Sequence, residues 1–143
     1  MPLSIEDRER FLSEPHVGAL SVASGEEDRA PVTVPIWYGY EPGGELWITT
    51  ERDSRKAQLI AAAGRFSVMV DRVAPTVRYV SVEGEVVSVE PSTDTELKDM
   101  TERYLAPEAA AAYMKDVLPT LGPSVTIRLR PKRWLSADMG VVG

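Results

Sequence analysis

The 143-residue sequence predicts a mainly β protein, a small antiparallel barrel with helical additions. Short β-like stretches recur at 16–23, 30–40, 46–50, 65–71, 78–90 and 124–138, several with strict apolar alternation. Two helix-like tracts, 54–63 and 94–117, interrupt them without the regular βαβ alternation of a doubly wound fold. Strands that follow one another mostly in sequence, with helices at the ends, suit a closed or nearly closed β architecture.

Each element has a local reason. Ser4 can cap a short helix whose first turn is acidic and whose apolar members are Ile5, Phe11 and Leu12. Pro15 ends it. Gly18, Leu20 and Val22 then fall on one face of a strand. The segment APVTVPIWYGY is β-branched and aromatic, and its prolines at 31 and 35 suit an edge, a bulge or a bend. EPGGE (41–45) is a hairpin turn leading into LWITT. The helix from about Ser54 to Ala63 is closed by Gly64 in the C-terminal capping position.

In the fourth strand Phe66, Val68 and Val70 alternate. In the fifth, Val80, Val82, Gly84 and Val86 share one face before Val87 and Val89 appear on the other, which predicts a bulge or a corner. Helical spacing runs from Asp94 to about Val117 with a break at Pro107, and the alanine-rich EAAAAYMK stretch suits a close-packed helix contact and a lid over the site. Val125, Ile127 and Leu129 oppose Thr126, Arg128 and Arg130 in the last strand. The expectation is one domain over 1–143, with a helix at about 4–14, barrel at about 17–90 and 124–138, and a helical insertion at about 94–118.

Composition narrows the function classes. Sixteen basic against 22 acidic residues give a net charge of −6, which weighs against nucleic acid or an anionic membrane as the main partner. The absence of cysteine excludes disulfides, thiolate catalysis and cysteine-based metal sites. His16, the sole histidine, cannot build a histidine metal site and reads as structural; no metal is expected. The charged, helically spaced N-terminus lacks a signal peptide's apolar stretch, and no apolar run approaches a membrane span, so a cytoplasmic protein is expected.

One stretch stands apart. TTERDSRKAQL (49–59) gathers hydroxyls and cations between a strand and a helix. The first amides of such a helix lack intrahelical partners, and with the positive end of the dipole they favour an anion. Asp53 or Ser54 is the expected N-cap. Arg55 and Lys56 then fall in the first turn, where cations are unfavourable by about 0.3–1 kcal/mol unless an anion offsets them. A phosphate would, with Arg55 as a fork, Lys56 as a point charge, and Thr49, Thr50 and Ser54 as hydroxyl donors. The plainer alternative makes Arg52, Arg55 and Lys56 solvated residues paired with Glu51 and Asp53. The glycine pattern of a P-loop is missing.

LWITTERDSRKAQLIAAAGRFSVMV followed by RYVSVEGEVV resembles the pyridoxamine 5'-phosphate oxidase superfamily, the flavin-binding split barrels. The matching pieces are Thr49-Thr50, Ser54-Arg55-Lys56, Phe66 to Val70, and Val80 to Val86 around Glu83-Gly84. FLSEPHVGALSVA and PVTVPIWYGY extend the likeness to roughly residues 5–90. The resemblance implies a six- to seven-stranded antiparallel split barrel of the FMN-binding type. It implies a homodimer with the cofactor at the subunit interface: Arg55 and Lys56 on its phosphate, Thr49 and Thr50 along the ribityl chain or ring edge, Ser54 beside them. Val34, Pro35, Ile36 and Trp37 would line the ring, and Arg78, Tyr79 or Trp134 would reach it from the partner chain.

The C-terminal sequence RPKRWLSADMGVVG has one tryptophan and no downstream arginine or histidine, so it departs from the substrate motif of true vitamin-phosphate oxidases. The short chain and PVTVPIWY look more like the actinobacterial branch, many of whose members use coenzyme F-420. The implied function is an oxidoreductase passing hydride from this deazaflavin to a small conjugated molecule. The alternatives are an FMN-dependent oxidoreductase or a non-catalytic flavin or haem binder, with His16 as the candidate iron ligand in the last case. Tyr38, Tyr40 and Tyr79 are candidate proton donors; Trp37, Trp47 and Trp134 read first as core or interface aromatics.

Overall fold

In a computed structural model that describes residues 1–141, four α-helices decorate seven strands. In chain order these are α1 (Ile5–Ser13), β1 (Gly18–Val22), β2 (Val32–Ile36), β3 (Gly39–Tyr40), β4 (Leu46–Glu51) and α2 (Arg55–Ala63). They are followed by β5 (Arg65–Arg72), β6 (Arg78–Pro91), α3 (Asp94–Tyr104), α4 (Pro107–Asp116), a 3-10 turn (Leu118–Thr120) and β7 (Ser124–Asp138).

The strands form one sheet in the order β2-β1-β5-β6-β7-β4-β3, every neighbouring pair antiparallel. Its two edges, β2 and β3, are consecutive in the chain: β2 ends at Ile36 and β3 begins at Gly39. That connection spans about 11 Å at most, whereas flat strands at about 4.8 Å spacing would hold the edges roughly 29 Å apart. The sheet must therefore curl until its edges meet. No ladder joins β2 to β3 among the described residues, so the barrel is split there. The aromatic segment 30–40 is thus two strands on opposite edges, not one.

Alternation puts Leu20, Val68, Val80, Leu46, Ile48 and Ile127 inside, each 0–1% exposed. Phe11 and Leu12 of α1 and Ile60 of α2 complete this core. Pro35 lies on an edge strand, where its missing amide costs no ladder bond to a further strand. The expected irregularity in the fifth strand is present: the β6–β7 register jumps between Val86 and Ser88, and again between Glu83 and Gly84. At the second jump, a Cβ on Gly84 would collide with the Arg130 carbonyl oxygen, so the glycine of Glu83-Gly84 is a close-approach residue. No helix among the described residues is long and apolar enough to cross a membrane.

Candidate functional site

Leu46 and Ile48 of β4 point inward, so Trp47 and Thr49 face out. The helical insertion covers that outer face. Thr93 and Glu96 close a capping box at the start of α3. From there Glu96 also reaches Thr126 (3.0 Å) and Arg128 (2.8 Å) on β7. Between the insertion and the barrel lie two cavities of about 220 and 310 Å³, and both are lined by Thr49 and Tyr113. The first has a hydroxyl wall (Thr49, Thr50, Ser92, Ser124) facing an apolar one (Leu97, Leu118, Leu121). Into the second project Pro35, Ile36 and Trp37 from the opposite edge of the sheet. The groove thus straddles the split.

Helix α3 also fixes the aromatic end of this groove. The Trp37 ring stacks on Tyr104 (centroids 4.8 Å apart, 10° between planes) and tilts against Tyr113 at 5.9 Å. The Tyr104 hydroxyl donates to the His16 carbonyl (2.7 Å) and accepts from the Tyr38 amide (3.1 Å). One side chain therefore satisfies two backbone groups next to the split and holds Trp37 in place.

The strand-to-helix junction borders the groove at Thr50. Ser54 is the N-cap of α2, accepting from the Ala57 amide at 3.1 Å, with the Thr50 hydroxyl 3.3 Å away. Gly64 closes the helix in the left-handed conformation, φ 71°. The first turn of α2 holds no acidic residue. Arg52 pairs with Asp53 at 3.3 Å on the surface. Arg55 is exposed and forms no ion pair among the described residues. Lys56 is half-buried, and burial holds its pKa below the ordinary lysine value, with no carboxylate offsetting it among the described residues. Surface pairing therefore holds for Arg52 with Asp53, whereas Arg55 is solvated but unpaired and Lys56 is neither fully solvated nor paired among the described residues. Arg55 and Lys56 line neither cavity; the helix they open starts beside Thr50, which lines the first.

The remaining expected site residues are dispersed. Val34 packs against the core from β2 and lines neither cavity. Arg78 is engaged within its own chain, at 2.9 Å from its cross-strand neighbour Asp138. Trp134 packs beneath the Arg8 guanidinium (4.6 Å) and edge-on to Tyr40 (6.1 Å). Tyr79 lies beside Ala137 and Asp71 in the ladders of β6. None of these three lines the groove of its own chain.

The candidate proton donors are likewise elsewhere. Tyr38 is fully buried, donates to the Leu12 carbonyl at 2.6 Å, and has its pKa pushed up by burial. Tyr40 donates to Glu9 at 2.7 Å; burial and then that carboxylate push its pKa up. Tyr113 is the tyrosine that lines both cavities, and its hydroxyl has no hydrogen-bond partner among the described residues. In the sequence it sits in an alanine-rich helix whose pattern signals only packing. His16 donates through Nε2 to the Phe11 carbonyl (2.9 Å) and packs on the Phe11 ring, a structural role.

The fold matches known proteins. The solved structure of an F420 reductase superposes with a TM-score of 0.68 at 23% identity, covering 89% of this chain and 94% of that one. The conserved hypothetical protein Rv2991 from Mycobacterium tuberculosis gives 0.69 at 23% identity, covering 99% and 93%. HutZ, the haem storage protein from Vibrio cholerae, gives 0.64 at 15% identity, covering 99% and 98%. Likeness at these identities concerns the fold. No curated protein matches the chain. The profile described as pyridoxamine 5'-phosphate oxidase matches residues 5–137, nearly the whole chain. The chain belongs to the pyridoxamine 5'-phosphate oxidase family, with its flavin-binding split-barrel fold.

Proposed function

We propose that this protein is an oxidoreductase that binds coenzyme F-420 through its phosphate-bearing tail and uses it to reduce a small conjugated organic molecule in the groove. The observation that carries this reading is Lys56, a half-buried cation with no carboxylate partner among the described residues, beside Arg55 in the first turn of a helix that adjoins the groove. A bound phosphate supplies the missing anion to both cations and to the free amides of α2. The likeness to an F420 reductase favours the deazaflavin over FMN.

When bound, the cofactor supplies hydride; the chain supplies placement and a proton. Trp37, held by Tyr104, forms an aromatic wall, Thr49 and Thr50 a polar one, and the insertion shields both from water. Tyr113, whose hydroxyl is otherwise unengaged, is the group placed to hydrogen-bond a substrate carbonyl or deliver its proton. Two copies would sandwich the cofactor, with Met69 and Leu135, 38% and 68% exposed, in the face they share.

The test is a pair of fluorescence titrations, with F-420 and with FMN, on the wild type and on Arg55→Ala/Lys56→Ala. The double substitution is expected to weaken binding of the preferred cofactor by about 2–4 kcal/mol, a roughly 30- to 1,000-fold loss. Unchanged affinity in the folded variant refutes the phosphate site. Tighter binding of FMN than of F-420 replaces the deazaflavin by the flavin.

A further inference from the structure

The hydroxyl wall of the smaller cavity is wired to Glu96. Its carboxylate takes the Thr93 amide (2.9 Å) and the Thr126 hydroxyl (3.0 Å) on one oxygen and Arg128 (2.8 Å) on the other. Burial alone would raise its pKa, but those bonds outweigh burial and hold the carboxyl below its ordinary value. Glu96 is therefore an acceptor only, and the single hydrogen of Thr126 is committed to it.

That commitment propagates. Ser92 and Thr126 lie 2.9 Å apart, and with Thr126 unable to donate, the hydrogen between them comes from Ser92. Ser124 lies 3.0 Å from the Ser92 oxygen and 3.3 Å from the Thr50 carbonyl, so its hydrogen also stays within the protein. Neither Ser92 nor Ser124 has a hydroxyl hydrogen left for the cavity they line, so each can meet a ligand there only through a lone pair. Glu51, the charged residue in that lining, adds a further acceptor.

We infer that the Ser92–Ser124 wall is an acceptor subsite that binds ligands through an N–H or O–H group, with Glu96 as the positioning residue that sets its polarity through Thr126. The inference rests on the oxidoreductase proposed above: a substrate seated against this wall of the groove is narrowed to conjugated molecules carrying a hydroxyl, amine or amide hydrogen. The opposite wall imposes no such limit, since the Tyr113 hydroxyl both donates and accepts.

The test uses the cofactor-free chain, so that it fails separately from the cofactor reading. Calorimetric titrations compare 2-naphthol, which donates, with 2-methoxynaphthalene, which cannot. One net hydrogen bond predicts about fivefold tighter binding of 2-naphthol to the wild type. Thr126→Val frees the Ser92 hydrogen, and Ser124→Ala removes an acceptor; each is expected to bring the ratio towards one. Ser124→Ala, at the cavity surface, keeps the test open if the more buried Thr126→Val does not fold. A wild-type ratio of one or below, a ratio unchanged in the folded variants, or no binding of either probe overturns the inference.

Discussion

Alanine at Gly84 tests whether the β6–β7 bulge is built around a missing side chain. The register pairs Glu83 with Arg133 but Gly84 with Pro131, leaving Lys132 as the extra residue. The bulge carries the Arg130 carbonyl onto Gly84. An added Cβ would overlap that oxygen, approach the Arg130 carbonyl carbon to 2.8 Å and reach the Leu129 side chain at 3.2 Å. Overpacking usually costs about 1–3 kcal/mol. Here the obstacle is backbone, and relief means parting the sheet's longest ladder, so Gly84→Ala is expected at the top of that range, about 3 kcal/mol. At about 2–4 °C per kcal/mol for a chain of this size, the melting midpoint falls by roughly 6–12 °C.

Gly39→Ala provides the control. Its Cβ would strike the Trp47 indole, a side chain that can turn away. Trp47→Ala should therefore remove most of the Gly39→Ala cost, a coupling of about 1 kcal/mol or more, whereas Leu129→Ala should not rescue Gly84→Ala. Denaturant unfolding at one chain concentration measures all of these. A Gly84→Ala loss below about 1 kcal/mol, or its rescue by Leu129→Ala, refutes the reasoning.

Other outcomes follow from the same contacts. Asp138 accepts from the Gly140 amide, Thr76 and Arg78, which hold its pKa at about 2 against an ordinary 3.8. Its stabilising contribution is thus complete above about pH 4 and lost as pH falls towards 2. Asp138→Asn should lower stability at pH 7 and flatten the acid limb of a stability–pH curve; an identical acid limb would contradict this. Tyr104→Phe keeps the stack on Trp37 but strands the His16 carbonyl and the Tyr38 amide. A loss of about 1–3 kcal/mol is expected in equilibrium unfolding, and a smaller one would mean that water reaches those groups.

Much of this protein is written locally. Two-residue periodicity marked the strands at 16–23, 65–71 and 124–138. Ser4, Ser54 and Gly64 announced helix ends because capping depends only on a few neighbouring atoms. The crowding of Val86 and Val87 betrayed the bulge for the same reason. The ordered set around Thr49, Ser54-Arg55-Lys56 and Glu83-Gly84 was enough to give the family.

Other features needed the fold. That β2 and β3 lie on opposite edges follows from pairings between residues far apart in sequence, and no local period encodes a partner. Burial of Tyr38, the placement of Tyr113 over the groove and the engagement of Arg78 by Asp138 likewise arise only when distant strands and helices meet. The sequence alone determined which residue types stood at the junction. Only the tertiary structure decided that Lys56 is half-buried without a carboxylate partner among the described residues, because burial and charge balance are sums over neighbours that the chain brings together on folding.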